Sequence, residues 1–100
     1  MPTFVLTYRA PDGYQVGNAE NASKWNAWFQ SMGDDLVDTG QPVVESASVG
    51  DCGARIRPLG GYSLIKAADL SSALAVAEGC PFVGTGGGAE VGKLLEHSTS

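Results

Sequence analysis

The chain has 100 residues with 43% hydrophobic content, which indicates one globular domain over residues 1–100 and excludes a disordered chain. Its net charge of −5 leaves no basic patch, so we expect no nucleic acid partner. No apolar run approaches the roughly 20 residues of a membrane span, and the N-terminus lacks signal-peptide features, so we expect no membrane partner. Two cysteines are too few for a disulfide framework, so we expect free thiols and a reducing, cytoplasmic compartment.

The first half of the chain predicts a strand, a helix and a second strand. Residues Phe4 to Arg9 carry buriable side chains on both alternating faces, which predicts a central strand covered on both sides. A helix is predicted over about Ala22 to Asp38, capped by Asn21 or Ser23. Its apolar stripe has helical spacing and comprises Trp25, Trp28, Phe29, Met32 and Leu36. We expect Gly40 to end this helix as a left-handed cap, with a strand over Pro42 to Val49 beyond it.

The second half repeats this order of elements. The short segment Ala54 to Arg57 predicts an edge strand, and Gly61 to Ala67 predicts a strand on which Ser63 and Ile65 share one face. Asp69 is expected to cap a second helix that stops at Gly79. The buried stripe of that helix is predicted to be Leu70, Ala73, Leu74 and Ala77. A last strand is predicted over Glu90 to Leu95, followed by a polar tail from about residue 96.

The resulting order, βαββαβ, predicts an α+β fold of the ferredoxin-like type: an antiparallel sheet with two helices on one face. The opposite face of the sheet then needs a cover. A chain of this size buries only about 60–68% of its unfolded surface, so its own core is thin. We therefore expect a homodimer in which a second copy covers the open face.

Several segments resemble the YCII-related family, which is also called the DGPF domain. The similarity covers most of the chain in order, and its segments are 28–42, 61–65, 68–70, 79–81 and 87–91. The resemblance implies a ferredoxin-like, dimeric α+β barrel, and most family members have no assigned activity. Residues 51–54 read Asp-Cys-Gly-Ala in place of the DGPF tetrapeptide. Enzyme-like relatives carry a histidine–aspartate pair associated with the first helix, and Trp25 stands where that histidine would be expected, nine residues before Asp34.

An acidic group near the end of the first predicted helix is the main candidate for catalysis. Asp34, Asp35 and Asp38 lie where the helix dipole disfavours carboxylates, and Asp34 and Asp38 are four residues apart. Asp34 or Asp38 could act as an acid or base with a raised pKa, or hold a cation or a ligand donor. The alternative is a solvated helix end, or an aspartate bonded to backbone N–H groups.

Aromatic side chains are the candidates for ligand binding. Trp25, Trp28 and Phe29 could line an apolar cavity inside the barrel, although helical spacing favours ordinary core packing for Trp28 and Phe29. Trp25 suits a rim position better. The hydroxyls of Tyr8 and Tyr62 could reach a ligand from central strands, or contact water at the edge of the sheet.

The remaining reactive residue types predict structural roles. Cys80 follows a helix end, where a thiolate is not stabilised, so burial is expected; Cys52 lies in a turn without a nearby histidine. His97 falls in the tail, and one histidine with two separated cysteines predicts no metal site. The favoured hypothesis is a small homodimer that binds an apolar or aromatic molecule, with any acid–base catalysis independent of a cofactor. The alternative is a non-catalytic accessory or regulatory dimerisation module.

Overall fold

The computed structural model describes residues 1–11, 13–14, 19–51 and 59–95. In these residues four strands and two α-helices follow in the order strand, helix, strand, strand, helix, strand. The elements are β1 (Thr3–Arg9), α1 (Ala19–Met32), β2 (Leu36–Asp38), β3 (Leu59–Lys66), α2 (Leu70–Ala77) and β4 (Gly88–Lys93), with a 3₁₀ turn at Gly33–Asp35. The predicted βαββαβ order is therefore confirmed.

The four strands form one antiparallel sheet in the order β2-β3-β1-β4. β1 lies in the interior of the sheet, with Phe4 opposite Ile65 of β3 on one side and opposite Lys93 of β4 on the other. The α+β fold class predicted from the sequence is confirmed, as is the interior position of β1.

The core lies on one face of this sheet. On β1 the side chains of Phe4, Leu6 and Tyr8 are buried, and Ser63 and Ile65 are buried on β3. Both helices contribute to the same cluster, with Trp28 from α1 and with Ala73 and Ala77 from α2. The alternation predicted for β3 is thus confirmed.

The other face of the sheet has no comparable cover within one chain. Val5 and Thr7 of β1 are half-buried there, and Tyr62 of β3 is 40% exposed. The expectation that β1 is covered on both sides is therefore not met by the chain's own described residues. We call this surface the open face of the sheet.

The first helix is shorter than predicted and begins earlier. α1 starts at Ala19, so neither Asn21 nor Ser23 caps it, and it ends at Met32 rather than Asp38. Gly33 adopts φ +57°, which is favourable for glycine but not for residues with a Cβ, and this ends the helix. Leu36 lies on β2 opposite Ile65 rather than on the helical stripe.

The second strand lies before the position predicted for it. β2 is Leu36–Asp38, and of the predicted strand Pro42 to Val49 only Pro42 makes a bridge, to Gly61. Proline lacks an N–H and cannot continue a ladder on that side. Because α1 ends at Met32, Gly40 caps no helix. It lies in the turn after β2 with φ +71°, and its N–H donates to the Asp38 carboxylate at 2.8 Å.

The second helix begins as predicted, because the Asp69 carboxylate accepts from the Ser72 N–H at 2.8 Å. Its buried stripe is narrower than predicted. Ala73 and Ala77 are buried, whereas Leu70 and Leu74 are 49% and 47% exposed. The last strand begins two residues earlier than predicted and ends at Lys93.

Three sequence predictions lie outside the described residues: the edge strand at 54–57, the turn position of Cys52 and the tail that contains His97. Among the helices that the structure describes, none is long and apolar enough to cross a membrane.

Candidate functional site

A cavity of about 310 Å³ lies between α1, the turn after β2 and the start of β3. Aromatic rings dominate its lining, and we call it the aromatic cavity. The aromatic lining residues are Tyr8, Tyr14, Trp25, Phe29, Tyr62 and Phe82. The other lining residues are Ala22 and Asn26 of α1, residues 39–42, and Gly60 and Gly61 of β3.

The rings of the wall pack edge to face. The centroid of Trp25 lies 4.8 Å from that of Tyr8 and 4.9 Å from that of Phe82, and the centroid of Tyr14 lies 4.7 Å from that of Phe82. Such pairs are favourable because the positive edge of one ring meets the negative face of the other. The geometry therefore fixes the orientations of the rings that a bound molecule would contact.

Different elements supply these rings. Trp25 and Phe29 are four residues apart on α1 and so lie on one side of that helix. Tyr8 comes from the end of β1, and Phe82 from the turn after α2, where it is 3% exposed. The aromatic cavity therefore forms where three segments distant in sequence converge.

Glycines allow the backbone to approach closely at the cavity. A Cβ on Gly40 would collide with the carbonyl oxygen of Tyr62, and one on Gly60 would lie 3.1 Å from the Phe82 ring. The turn after β2 can therefore pack directly onto β3, and this contact shapes one wall.

A buried chain of hydrogen bonds adjoins the aromatic cavity. The Tyr8 hydroxyl donates to Ser63 Oγ at 2.7 Å, and the Ser63 hydroxyl donates to the Thr39 carbonyl oxygen at 2.7 Å. Burial raises the pKa of the Tyr8 phenol, an effect that the Ser63 hydrogen bond partly offsets. Tyr8 is therefore a neutral phenol throughout the neutral pH range.

The structure brings three of the four predicted ligand-binding residues together, because Tyr8, Trp25 and Tyr62 all line the aromatic cavity. Trp28 is not among its lining residues. It is 8% exposed, and its indole N–H donates to the Val76 carbonyl of α2 at 3.2 Å. This is the core position that its helical spacing favoured.

The predicted catalytic carboxylates lie outside the aromatic cavity. Asp34 is exposed in the 3₁₀ turn, and Asp38 is exposed at the end of β2, where it accepts from the Gly40 N–H. Asp35 lines a second cavity of about 320 Å³, together with residues of α1, β3, α2 and the turn after α2 that include Trp28 and Ile65. Asp34 and Asp38 do not share one helix face, and their catalytic role stays a prediction.

Sequence reasoning missed several lining residues. Tyr14 and Phe82 lie in connections between elements, whose positions depend on tertiary packing. Ser63 carried a usable signal: a hydroxyl on the buried face of a central strand must find a hydrogen-bond partner. Its partners are Tyr8 and Thr39, which are 55 and 24 residues away in sequence.

The described cysteine is buried, as predicted. Cys80 is 2% exposed, and burial raises the pKa of its thiol. Within the described ranges no group of three or more His, Cys, Asp or Glu residues could hold a metal ion.

Comparison with known proteins places the fold. No family model matches the chain, and no curated protein matches it in sequence. Among solved structures, it is similar to 5-chloro-2-hydroxyhydroquinone dehydrochlorinase (TftG) from Burkholderia phenoliruptrix AC1100, in complex with 2,5-dihydroxybenzoquinone. The TM-score is 0.66 at 15% identity, over 97% of this chain and 96% of that chain. The chain has the TftG fold.

That fold is a dimeric α+β barrel, so the fold predicted from the sequence is confirmed. At 15% identity the similarity shows the fold alone. Membership of the YCII-related family stays a prediction, and so does the homodimer.

Proposed function

We propose that this protein binds a small planar aromatic molecule in the aromatic cavity. The observation that carries the proposal is the lining itself, in which six of the residues around about 310 Å³ are aromatic and most of the surface is apolar. Ligand sites are typically concave, mainly apolar and about 300–1,000 Å³, so this cavity suits a ligand of one ring. The complex of TftG with 2,5-dihydroxybenzoquinone supports a ligand of this class.

Calorimetric titration with phenol and with 2,5-dihydroxybenzoquinone tests this proposal. We expect saturable binding, and at least a tenfold loss of affinity in Trp25→Ala, because that ring contacts both Tyr8 and Phe82. Leu74→Ala is the control, since Leu74 is half-exposed on α2 and does not line the aromatic cavity. Absence of saturable binding at millimolar concentrations of both probes would contradict the proposal.

We further propose that the protein is a homodimer, as the family resemblance implies, in which a second copy covers the open face. Support comes from Leu64 and Val5, which lie opposite each other on that face, and from the barrel fold. Leu64→Asp should convert a dimer into a monomer by light scattering. Val44→Asp is the control, because Val44 is 81% exposed outside the sheet. A monomeric mass for the unaltered chain at micromolar concentration would refute the dimer.

A second candidate function is acid–base catalysis without a cofactor, with Asp34 or Asp38 as the proton-transfer group. The specific support is position: Asp38 immediately precedes the turn that lines the aromatic cavity, and it is bonded to Gly40 of that turn. Among the described lining residues, however, no carboxylate occurs, which favours binding without this chemistry and hence the non-catalytic alternative.

Deuterium incorporation from solvent into the ring of 2,5-dihydroxybenzoquinone, followed by NMR, separates these two functions. An acid–base enzyme should accelerate the exchange, and Asp38→Asn or Asp34→Asn should then reduce the rate by about 10²-fold or more. If the rate equals that without protein while calorimetry shows binding, the non-catalytic function stands.

A further inference from the structure

The buried hydroxyl chain beside the aromatic cavity has a fixed direction. The Thr39 carbonyl oxygen can only accept, so the single hydrogen of Ser63 is donated to it. The Ser63 oxygen can then only accept from Tyr8, so the Tyr8 hydrogen points at Ser63. What the Tyr8 oxygen retains is an acceptor lone pair.

The packing around Tyr8 holds this arrangement in place. Its ring makes edge-to-face contacts with Trp25, Trp28 and Phe82, at centroid distances of 4.8, 5.9 and 6.5 Å. The side chain is 3% exposed, and Ser63 is fully buried, so no bulk water competes for either hydroxyl. Reversing the direction of the two hydroxyls would break the hydrogen bond from the Ser63 hydroxyl to the Thr39 carbonyl oxygen, so the observed direction is the favoured one.

We propose that the aromatic cavity selects ligands with a ring hydroxyl, because the Tyr8 oxygen presents an acceptor and not a donor to them. This proposal rests on the proposed function, the binding of an aromatic molecule in the cavity. A phenol can donate to the Tyr8 oxygen, whereas an aryl ketone or quinone oxygen meets a lone pair. The other polar lining residues carry amides or hydroxyls that can both donate and accept, so they do not impose this preference; they are Tyr14, Asn26, Thr39, Gln41 and Tyr62.

The preference should be constant across neutral pH. Burial raises the pKa of Tyr8, so the phenol keeps its proton and continues to donate to Ser63. Phenol itself is un-ionised in the same range, since its pKa is about 10, as for a tyrosine side chain.

Three probes with one ring each and different hydrogen-bonding capacity test the direction without any variant. Phenol can donate, acetophenone can only accept, and fluorobenzene supplies shape without a strong hydrogen bond. We expect phenol to bind about tenfold more tightly than either of the others, which is the effect of one net hydrogen bond. If phenol binds no better than fluorobenzene, the inference fails while the proposed function stands. If none of the three shows saturable binding, the proposed function fails.

Two substitutions then assign the effect to the hydroxyl chain. Tyr8→Phe should abolish the advantage of phenol over fluorobenzene. Ser63→Ala removes the acceptor for the Tyr8 hydrogen, so that hydrogen can turn towards the ligand, and acetophenone should gain about tenfold over fluorobenzene. Ser71→Ala is the matched control, because Ser71 is an exposed serine on α2. If Ser63→Ala folds and acetophenone does not gain, the fixed direction is refuted. If Ser63→Ala does not fold, the advantage of phenol over fluorobenzene still tests the inference: it must be present in the unaltered chain and absent in Tyr8→Phe.

Discussion

Replacing Gly33 by alanine should distinguish the observed end of α1 from the longer helix that the sequence predicts. A helix through Asp38 would place Gly33 in its interior, where alanine stabilises by about 1 kcal/mol. In the structure Gly33 has φ +57°, which costs an alanine about 1–2 kcal/mol. A Cβ at this position meets nothing within 4 Å, so no steric term is added. Alanine also restricts the unfolded chain, which offsets about 0.4–1 kcal/mol, so we expect a net loss of roughly 1 kcal/mol.

The measurement is urea unfolding followed by tryptophan fluorescence at one fixed protein concentration. For a domain of this size, about 1 kcal/mol corresponds to roughly 4–8 °C in Tm, which thermal unfolding can check. Gly33→Asn should lose less than Gly33→Ala, since asparagine tolerates the left-handed region better. Gly40→Ala should lose more, because a Cβ there also collides with the Tyr62 carbonyl. A stability gain in Gly33→Ala would refute the assigned end of α1.

Three further outcomes follow from the core and the caps. Trp28→Phe should lower the free energy of unfolding by about 1 kcal/mol, measured with urea, because the Val76 carbonyl loses the indole hydrogen bond while it keeps the one from the Gly79 N–H. In a Cys52→Ala background, iodoacetamide should modify Cys80 of the native protein far more slowly than in urea, because the thiol is buried and its pKa is raised; equal rates would contradict the packing. The hydrogen bond from the Ser72 backbone N–H lowers the pKa of Asp69 in the folded protein. The ionised Asp69 carboxylate therefore stabilises the fold above the pKa that it has in the unfolded chain, and this stabilisation is lost as the pH falls through the lower pKa of the folded state. Asp69→Asn, which can still cap, should therefore show a smaller loss of Tm between about pH 5 and 2 than the unaltered chain.

Alternation and capping made much of the fold predictable from sequence. The two interior strands were placed correctly, because a period of two separates Ser63 and Ile65 from Tyr62 on opposite faces. The cap at Asp69 was also placed correctly, since its carboxylate is followed by an apolar run and accepts from the third residue on.

Helical periodicity was misleading where the chain changes from helix to strand. Leu36 is four residues after Met32, so it continues the apolar stripe in sequence although it belongs to β2. The pairing of Leu36 with Ile65 decides its conformation, and that contact is between residues 29 positions apart. A glycine inside an apolar pattern is compatible with either outcome until its φ is known.

The aromatic cavity was predictable in part. Trp25 and Tyr8 could be assigned to it because regular elements carry them. Phe82 could not, because its position depends on how the turn after α2 folds back over the sheet. The need of Ser63 for a hydrogen-bond partner was predictable from its place on the buried face, but the partner Thr39 was not, since that bond depends on the register of the turn after β2.

The interior position of β1 has a consequence for biosynthesis. β1 is translated before both of its hydrogen-bonding neighbours, β3 and β4, which lie in the second half of the sequence. At about 5–20 residues per second, β1 waits several seconds on the ribosome before β3 can emerge. A product that terminates before Gly88 would contain β1 paired on one side only, with Phe4, Leu6 and Tyr8 beside an unprotected edge. Chains truncated before Gly88 should therefore aggregate, because β4 completes the protection of β1.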